Sequence, residues 1–276
     1  MKSGLSIIVT LFKTPVDKIK SLNQYKNHTI LIFDQATKNN SDQISKILDT
    51  EFEYFHSEKN LGLCKSTNFL ITKVKTKYCL FTQADIKIDE ISIDRLIKSM
   101  NLEENIIFAG PIFNYEKKFN EKNELTKNYQ IKSELDASIM MCDVEKVKQI
   151  GFFDEDYFLY WEDKDLMKRV NKSSFKMIQI LNSFAIHDGG KSTFDNTRVK
   201  FIRRINYKYG ELIFDLKHKK PRTIKILRQI FQNVFFLPLS LISLNKIKII
   251  ENISQILGII KFIKFIFLKK NSKNVS

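Results

Sequence analysis

Tyr78-Cys79-Leu80-Phe81-Thr82-Gln83-Ala84-Asp85 is a run of strand-forming residues that stops on a carboxylate. Such a run does not alternate, and that marks a strand covered on both faces. Two upstream segments repeat the pattern, Leu5-Ser6-Ile7-Ile8-Val9-Thr10 and Thr29-Ile30-Leu31-Ile32-Phe33, the second ending on Asp34. Helical patterns lie between them. Thr14-Pro15-Val16-Asp17 reads as a helix start with Thr14 as N-cap, Ser41 caps a helix through Leu48, and residues 63–74 follow the turn Asn60-Leu61-Gly62. Glu53–His56 is a short strand.

Downstream of Asp85 the alternation continues. Asp89–Met100 is helical, and Ile106–Ala109 is a strand stopped by Gly110-Pro111. Residues 114–134 are polar and aperiodic, a long loop or hairpin able to close over a site. Ser138–Cys142 is a strand, Asp143 caps a helix to Ile150, and Gly151 ends it. Phe175–Leu181 is a further strand, and Phe184–Ile186 runs extended into His187-Asp188-Gly189-Gly190. The expected architecture is α/β, a mostly parallel sheet with helices on both faces. Ligands of such sheets bind beyond the carboxyl ends of the strands, which selects Thr10–Phe12, Asp34 and Gln83–Asp85.

Residues 151–169 combine six acidic side chains with six aromatic ones, including Trp161, the only Trp of the chain. That mixture suits a cleft wall, where rings exclude water and a few carboxylates face a ligand. It suits equally an acidic helix start over a hydrophobic staple. Residues 161–170 read as a short helix, with Asp163 in its first turn and Asp165 and Arg169 paired at i,i+4.

The net charge of +15 is unevenly placed over the 276 residues. Residues 198–276 hold 18 Lys and Arg against 3 Asp and Glu, whereas residues 1–197 hold 28 of each. A domain set at 1–210, neutral through residue 197, is therefore followed by a basic helical tail, 211–276, in which Pro221 precedes the long segment 223–268. In the tail, Ile249, Ile250, Ile253, Ile256, Leu257, Ile260, Ile263 and Phe267 share one broad helical face, though Lys264 also falls on it. The run Gln229–Asn245 has no charge but is interrupted by Gln232, Asn233 and Pro238, which argues against a spanning helix. A basic amphipathic segment in the interface of an anionic membrane fits it; a docking helix pair or dimer contact is the other reading. Met1–Gly4 leads straight into a strand, so no secretory signal is expected. Cys64, Cys79 and Cys142 have no metal-ligand spacing and read as free thiols of a reducing compartment.

Singly, the polar residues remain ambiguous. Asp85 can hold a divalent ion that holds phosphate oxygens, or cap the next helix. His187 can be a metal ligand or a satisfied core residue. Asp34 can accept from a sugar or base, or close a turn. Their order along the chain resembles that of the family 2 glycosyltransferases of the GT-A fold, notably the bacterial rhamnosyltransferase-like branch, over residues 5–210. The resemblance rests on Ser6–Thr10, Asp34, Asn60-Leu61-Gly62 with Asn68, Gln83-Ala84-Asp85, Asp136-Ala137-Ser138, Gly151–Glu155 continuing through Tyr160–Leu166 to Arg169, and His187 with Gly189-Gly190-Lys191-Ser192.

That resemblance implies an inverting, metal-dependent glycosyltransferase. Thr10, Phe12 and Asp34 would contact the nucleotide, with Asn60, Asn68, Gln83 and Arg169 also on the nucleotide-sugar side. Asp85 and His187 would hold Mg2+ or Mn2+. Asp163 would be the base, Arg169 would orient Asp165, and Asp136, Trp161 and Glu162 would face the acceptor. The implied partners are a nucleotide-diphosphate sugar, with rhamnose the first expectation, and a glycan or lipid-linked glycan acceptor of bacterial cell-surface polysaccharide synthesis. The implied location is the inner face of the cell membrane, peripherally bound. Gln83 departs from the family's acidic or Asn residue, and Ala137 from its frequent Gly. A sugar nucleotidyltransferase is the alternative enzyme, but no Gly-rich phosphate loop is present. A nucleic-acid-binding protein is the alternative without catalysis, and none of its usual motifs is present, so no nucleic-acid partner is expected.

Overall fold

The computed structural model describes residues 5–113, 128–187, 196–220 and 223–273. They form two compact units, Met1–Asp154 with Asp163–Phe194, and Glu155–Glu162 with Asp195–Ser276.

The first unit is built on one mixed sheet. Its strands are β1 (Leu5–Leu11), β2 (Thr29–Asp34), β3 (Phe52–His56), β4 (Tyr78–Thr82), β5 (Ile86–Ile88), β6 (Ile106–Phe113), β7 (Tyr129–Lys132), β8 (Ile139–Asp143) and β9 (Lys176–His187). Their order is β3-β2-β1-β4-β8-β6-β9-β5, with β7 also pairing on β9. The half from β3 to β4 is parallel throughout. Ile7, Ile8 and Val9 of β1 and Cys79 and Leu80 of β4 are fully buried, as their unbroken apolar runs require. Strand β8 is antiparallel to β4 and β6, so the other half is mixed. The helices of this unit are α1 (Val16–Lys20), α2 (Ser41–Ser45), α3 (Leu63–Lys73), α4 (Glu90–Ser99), α5 (Val144–Ile150) and α6 (Glu162–Val170). The cysteines are free and buried.

Several local expectations are corrected. Thr14 does not cap α1; Pro15 holds that position, and the Thr14 hydroxyl accepts from the Phe12 N–H instead. Ser41 is the first residue of α2 rather than its cap, and that helix ends at Ser45. Asp85 does not cap the next helix: β5 follows it, and Asp89 caps α4 by accepting from Ser92 N–H. Strand β6 continues through Gly110-Pro111. Its pairing with β8 reaches only Ala109, and its ladder with β9 shifts register after Pro111, so the missing proline N–H falls at an irregularity. The last two expected strands are one, β9. The segment expected as a loop contains β7, while residues 114–127, like Asp188–Ser192 and Pro221, lie outside the described residues.

The second unit comprises Glu155–Glu162 and three helices, α7 (Thr197–Lys217), α8 (Thr223–Ile242) and α9 (Lys246–Lys273). Residue 210 lies within α7. Gly258 of α9 sits against Ile205 and Lys208 of α7, where any Cβ would come within 2.7 Å of the Lys208 stem. Ile259 and Phe262 of α9 are buried, so α9 packs as a docking helix over this stretch. Among the described residues no helix is long and apolar enough to cross a membrane.

Gly210 of α7 faces the Tyr160-Trp161 backbone, and an added Cβ would lie 2.6 Å from the Tyr160 carbonyl oxygen. Both Tyr160 (φ 69°) and Trp161 (φ 72°) are left-handed, a conformation that costs on the order of 1–3 kcal/mol per non-glycine residue. Trp161 is held by Tyr207 and Phe214, with ring centroids at 5.7 and 5.3 Å. Gly210→Ala is therefore expected to destabilise the protein by about 1–3 kcal/mol, read as a lowered thermal midpoint.

Candidate active site

Because β2, β1 and β4 are parallel neighbours, their carboxyl ends fall on one edge. The register sets Leu11 beside Asp34 and Val9 beside Thr82. Chain order reverses at β1, between β2 and β4, and a crevice opens at such a reversal. Thr10, Phe12, Asp34 and Gln83–Asp85 all lie at this edge. Thr10 Oγ1 is 3.3 Å from Ser66 Oγ and 3.4 Å from Thr67 Oγ1 of α3. The Asp34 carboxylate is buried and accepts from Asn40 Nδ2 and the Tyr54 hydroxyl, each at 2.9 Å. Burial, helped by that carboxylate, pushes the Tyr54 hydroxyl up to about 12. Asn60 Oδ1 accepts from Gly62 N–H at 3.0 Å, and Leu61 N–H donates to the buried Gln35.

The turn carrying Asp85 is pinned from outside the sheet. Ser21 Oγ donates to the Ala84 carbonyl at 2.7 Å, and Gln24 bonds both the Ile86 carbonyl and the Ile88 N–H of β5 at 2.9 Å. Strand β5 in turn pairs antiparallel with β9, which sets His187 opposite Ile86. His187 Nε2 thereby lies 3.5 Å from Asp85 Oδ2, although 102 residues separate the two in sequence. Among the described residues no group of three His, Cys, Asp or Glu could hold a metal. The pair alone offers one carboxylate and one imidazole, which fits an ion that takes its other ligands from phosphate and water.

Asp163 opens α6, and α6 is tied to the segment before β8. Lys164 pairs with Glu134 at 3.0 Å, and Asn171 donates to the Ser133 carbonyl at 2.8 Å. Asp136, exposed, accepts from Ser138 N–H at 2.9 Å, and its charge acts on Asp163. Burial first, and Asp136 to a lesser degree, raise the Asp163 carboxyl above its ordinary range, against lowering by Lys164 and by backbone N–H groups. Trp161 Nε1 is buried without an acceptor among the described residues.

Two residues expected on the donor side are also held by structural hydrogen bonds. Arg169 pairs with Asp165 at 2.8 Å, as the spacing suggested, and also donates to the carbonyls of Ile150, Gly151 and Phe152. Four of the five guanidinium N–H groups are thus directed into the protein. Asn68 clamps Phe153 through both its amide groups, at 2.7 and 3.1 Å. The rings of the Gly151–Asp154 loop are core rather than cleft wall: Phe152 and Phe153 are buried against Phe81. Sequence spacing did not reveal these clamps, since residues 68 and 153 meet only through the fold. Arg169→Lys keeps the charge but cannot serve the three carbonyls, so it is expected to cost about 2–4 kcal/mol in thermal or denaturant unfolding.

An open parallel edge with a reversal of strand order is where α/β sheets of this kind take their ligands, and here it carries carboxylates at the strand ends and a His beside one of them. A family model, glycosyl transferase family 2, matches residues 16–165, and the chain belongs to that family. No curated protein matches it in sequence. Among solved structures it is similar to the mannosyltransferase PcManGT of Pyrobaculum calidifontis in complex with GDP-Man and Mn2+, at 9% identity and a TM-score of 0.58 over 95% of this chain and 88% of that one. It is also similar to GalNAc-T7 with UDP, GalNAc and Mn2+, at 10% identity and a TM-score of 0.55 over 66% of this chain. The match spans 42% of that protein's length. At these identities the likeness shows the fold, an α/β sheet of the GT-A kind.

Proposed function

We propose that the protein is an inverting, metal-dependent glycosyltransferase that moves a sugar from a nucleotide-diphosphate donor to a glycan acceptor. The observation that carries this is the Asp85–His187 pair, 3.5 Å apart at the carboxyl edge of the parallel strands. Together these two residues would hold Mg2+ or Mn2+, which when bound neutralises charge on the departing diphosphate. Thr10, Phe12, Asp34, Asn60 and Gln83 face the donor. Asn68 and Arg169 act behind them by fixing the Gly151–Asp154 loop and Asp165. Asp163 takes the proton of the acceptor hydroxyl, and its burial makes it a stronger base than an exposed carboxylate. One base with direct displacement inverts the anomeric centre. Asp136, Trp161 and Glu162 are the proposed acceptor contacts.

The acceptor proposed is a lipid-linked glycan of bacterial cell-surface polysaccharide synthesis, with rhamnose as the first donor sugar to try. The protein would meet it as a peripheral protein at the anionic inner face of the membrane, through residues 211–276. A donor screen that follows nucleotide diphosphate release tests the reaction. Release is expected with Mn2+ or Mg2+ and is expected to stop in chelator. Imidazole is a softer donor than a second carboxylate, so Mn2+ should serve at least as well as Mg2+. Full turnover in chelator would remove the metal from the mechanism.

A further inference from the structure

Helix α8 is inverted. Its inward face, toward the other helices of the second unit, carries Asn233 (6% exposed) and Ser240 (3%), while Phe231 (71%) and Ile242 (81%) stand in the open. The inward polar groups are served within the protein: Asn233 Nδ2 donates to the Gln229 carbonyl at 2.7 Å, Ser240 Oγ to the Leu237 carbonyl at 2.8 Å, and Asn252 of α9 reaches Ser240 Oγ at 3.4 Å. Leu227, Val234, Phe235, Phe236 and Leu239 extend the outward apolar surface. A helix bounded by water places its side chains the other way round. So large a contiguous apolar face calls for a cover.

Charge indicates what the cover is. Residues 223–250 contain no Asp or Glu. Lys225 is neutralised inward by Glu211 and Asp215, at 2.6 and 2.5 Å. Arg228 near one end of the uncharged run, and Lys246 and Lys248 just past the other, are exposed. An apolar stretch flanked by bare cations matches acyl chains bordered by anionic headgroups. A second copy of the same face would set cations against cations with no acid to pair them.

We propose that α8 is an in-plane docking helix for an anionic lipid surface, with its Phe231–Phe235–Ile242 face in the acyl boundary and Arg228, Lys246 and Lys248 at the headgroups. In this arrangement α9, which packs on α7 through the stretch that buries Ile259 and Phe262, supports α8. The inference rests on the membrane association proposed above and assigns it to one element and one orientation.

The test uses the full chain, without nucleotide, floated with vesicles of phosphatidylcholine alone or mixed with phosphatidylglycerol. Combining Phe231→Gln, Phe235→Gln and Ile242→Gln is expected to weaken binding to both vesicles by roughly tenfold or more, with an unfolding midpoint no lower than wild type. Combining Arg228→Gln, Lys246→Gln and Lys248→Gln is expected to remove the preference for phosphatidylglycerol and the sensitivity to salt. The proposal is overturned if wild type does not float, or if the apolar triple variant floats undiminished. It is also overturned if light scattering shows a dimer that this variant splits without any vesicle binding, since the cover is then a second copy. Nucleotide release on a soluble acceptor is read separately: vesicle binding without release leaves α8 standing and sinks the transferase reading instead.

Discussion

Asp163→Asn is expected to lower sugar transfer by roughly 10²–10⁴-fold while donor binding persists, because the variant keeps the shape and loses only the proton acceptor. Burial gives this residue a second, opposite signature. In the folded protein the Asp163 carboxyl holds its proton to higher pH than in the unfolded chain. The folded state therefore binds more protons than the unfolded one as pH rises from the ordinary carboxylate value of 3.8 to the raised one, and stability falls across that window. Asn carries no charge to desolvate, so at neutral pH the variant should unfold no earlier than wild type. The acid limb of kcat/KM in wild type should lie above the ordinary carboxylate range. Near-normal turnover in Asp163→Asn would remove Asp163 from the reaction.

Asp85→Ala is expected to cost on the order of 10²-fold or more in turnover, together with the metal dependence of donor binding. His187→Ala should weaken metal affinity by about tenfold, since one of the two proposed ligands is lost. Chelator should reproduce the Asp85→Ala phenotype in wild type and do little more to the variant. Asp85→Asn controls for packing, because Asp85 is buried and alanine leaves space there. If Asp85→Ala binds donor with unchanged metal dependence, the ion is held elsewhere.

The parallel half of the sheet was legible because its strands are buried on both faces, a condition that local composition records. Tyr78–Thr82 and the helix at Leu63–Lys73 appear almost as expected. The strand-end rule then picked out Asp34 and Asp85 before any pairing was known. Strand β7 was not legible, since Tyr129–Lys132 is half exposed and is ordered by β9, far along the chain. Strand β6 was cut short because Pro111 reads locally as a stop, and only the partner register shows that its N–H is not needed. The pairing of Arg169 with Asp165 was legible because it is local, whereas the three carbonyls it also holds come from a loop that sequence could not place beside it. The face of α8 was missed for a related reason. Periodicity gives a helix two sides but does not say which one meets its neighbour.

The lone Trp of the chain stands two residues before Asp163, wedged between Tyr207 and Phe214 of α7. Tryptophan emission, excited selectively over that of the nine tyrosines, thus arises from one place in the molecule. Its emission should shift to the red when Glu155–Glu162 leaves α7, whatever the state of the sheet, whose loss is followed by circular dichroism. The two signals are separate clocks on unfolding. Any lag between them measures how long Glu155–Glu162 stays docked on α7 after the sheet has begun to fail.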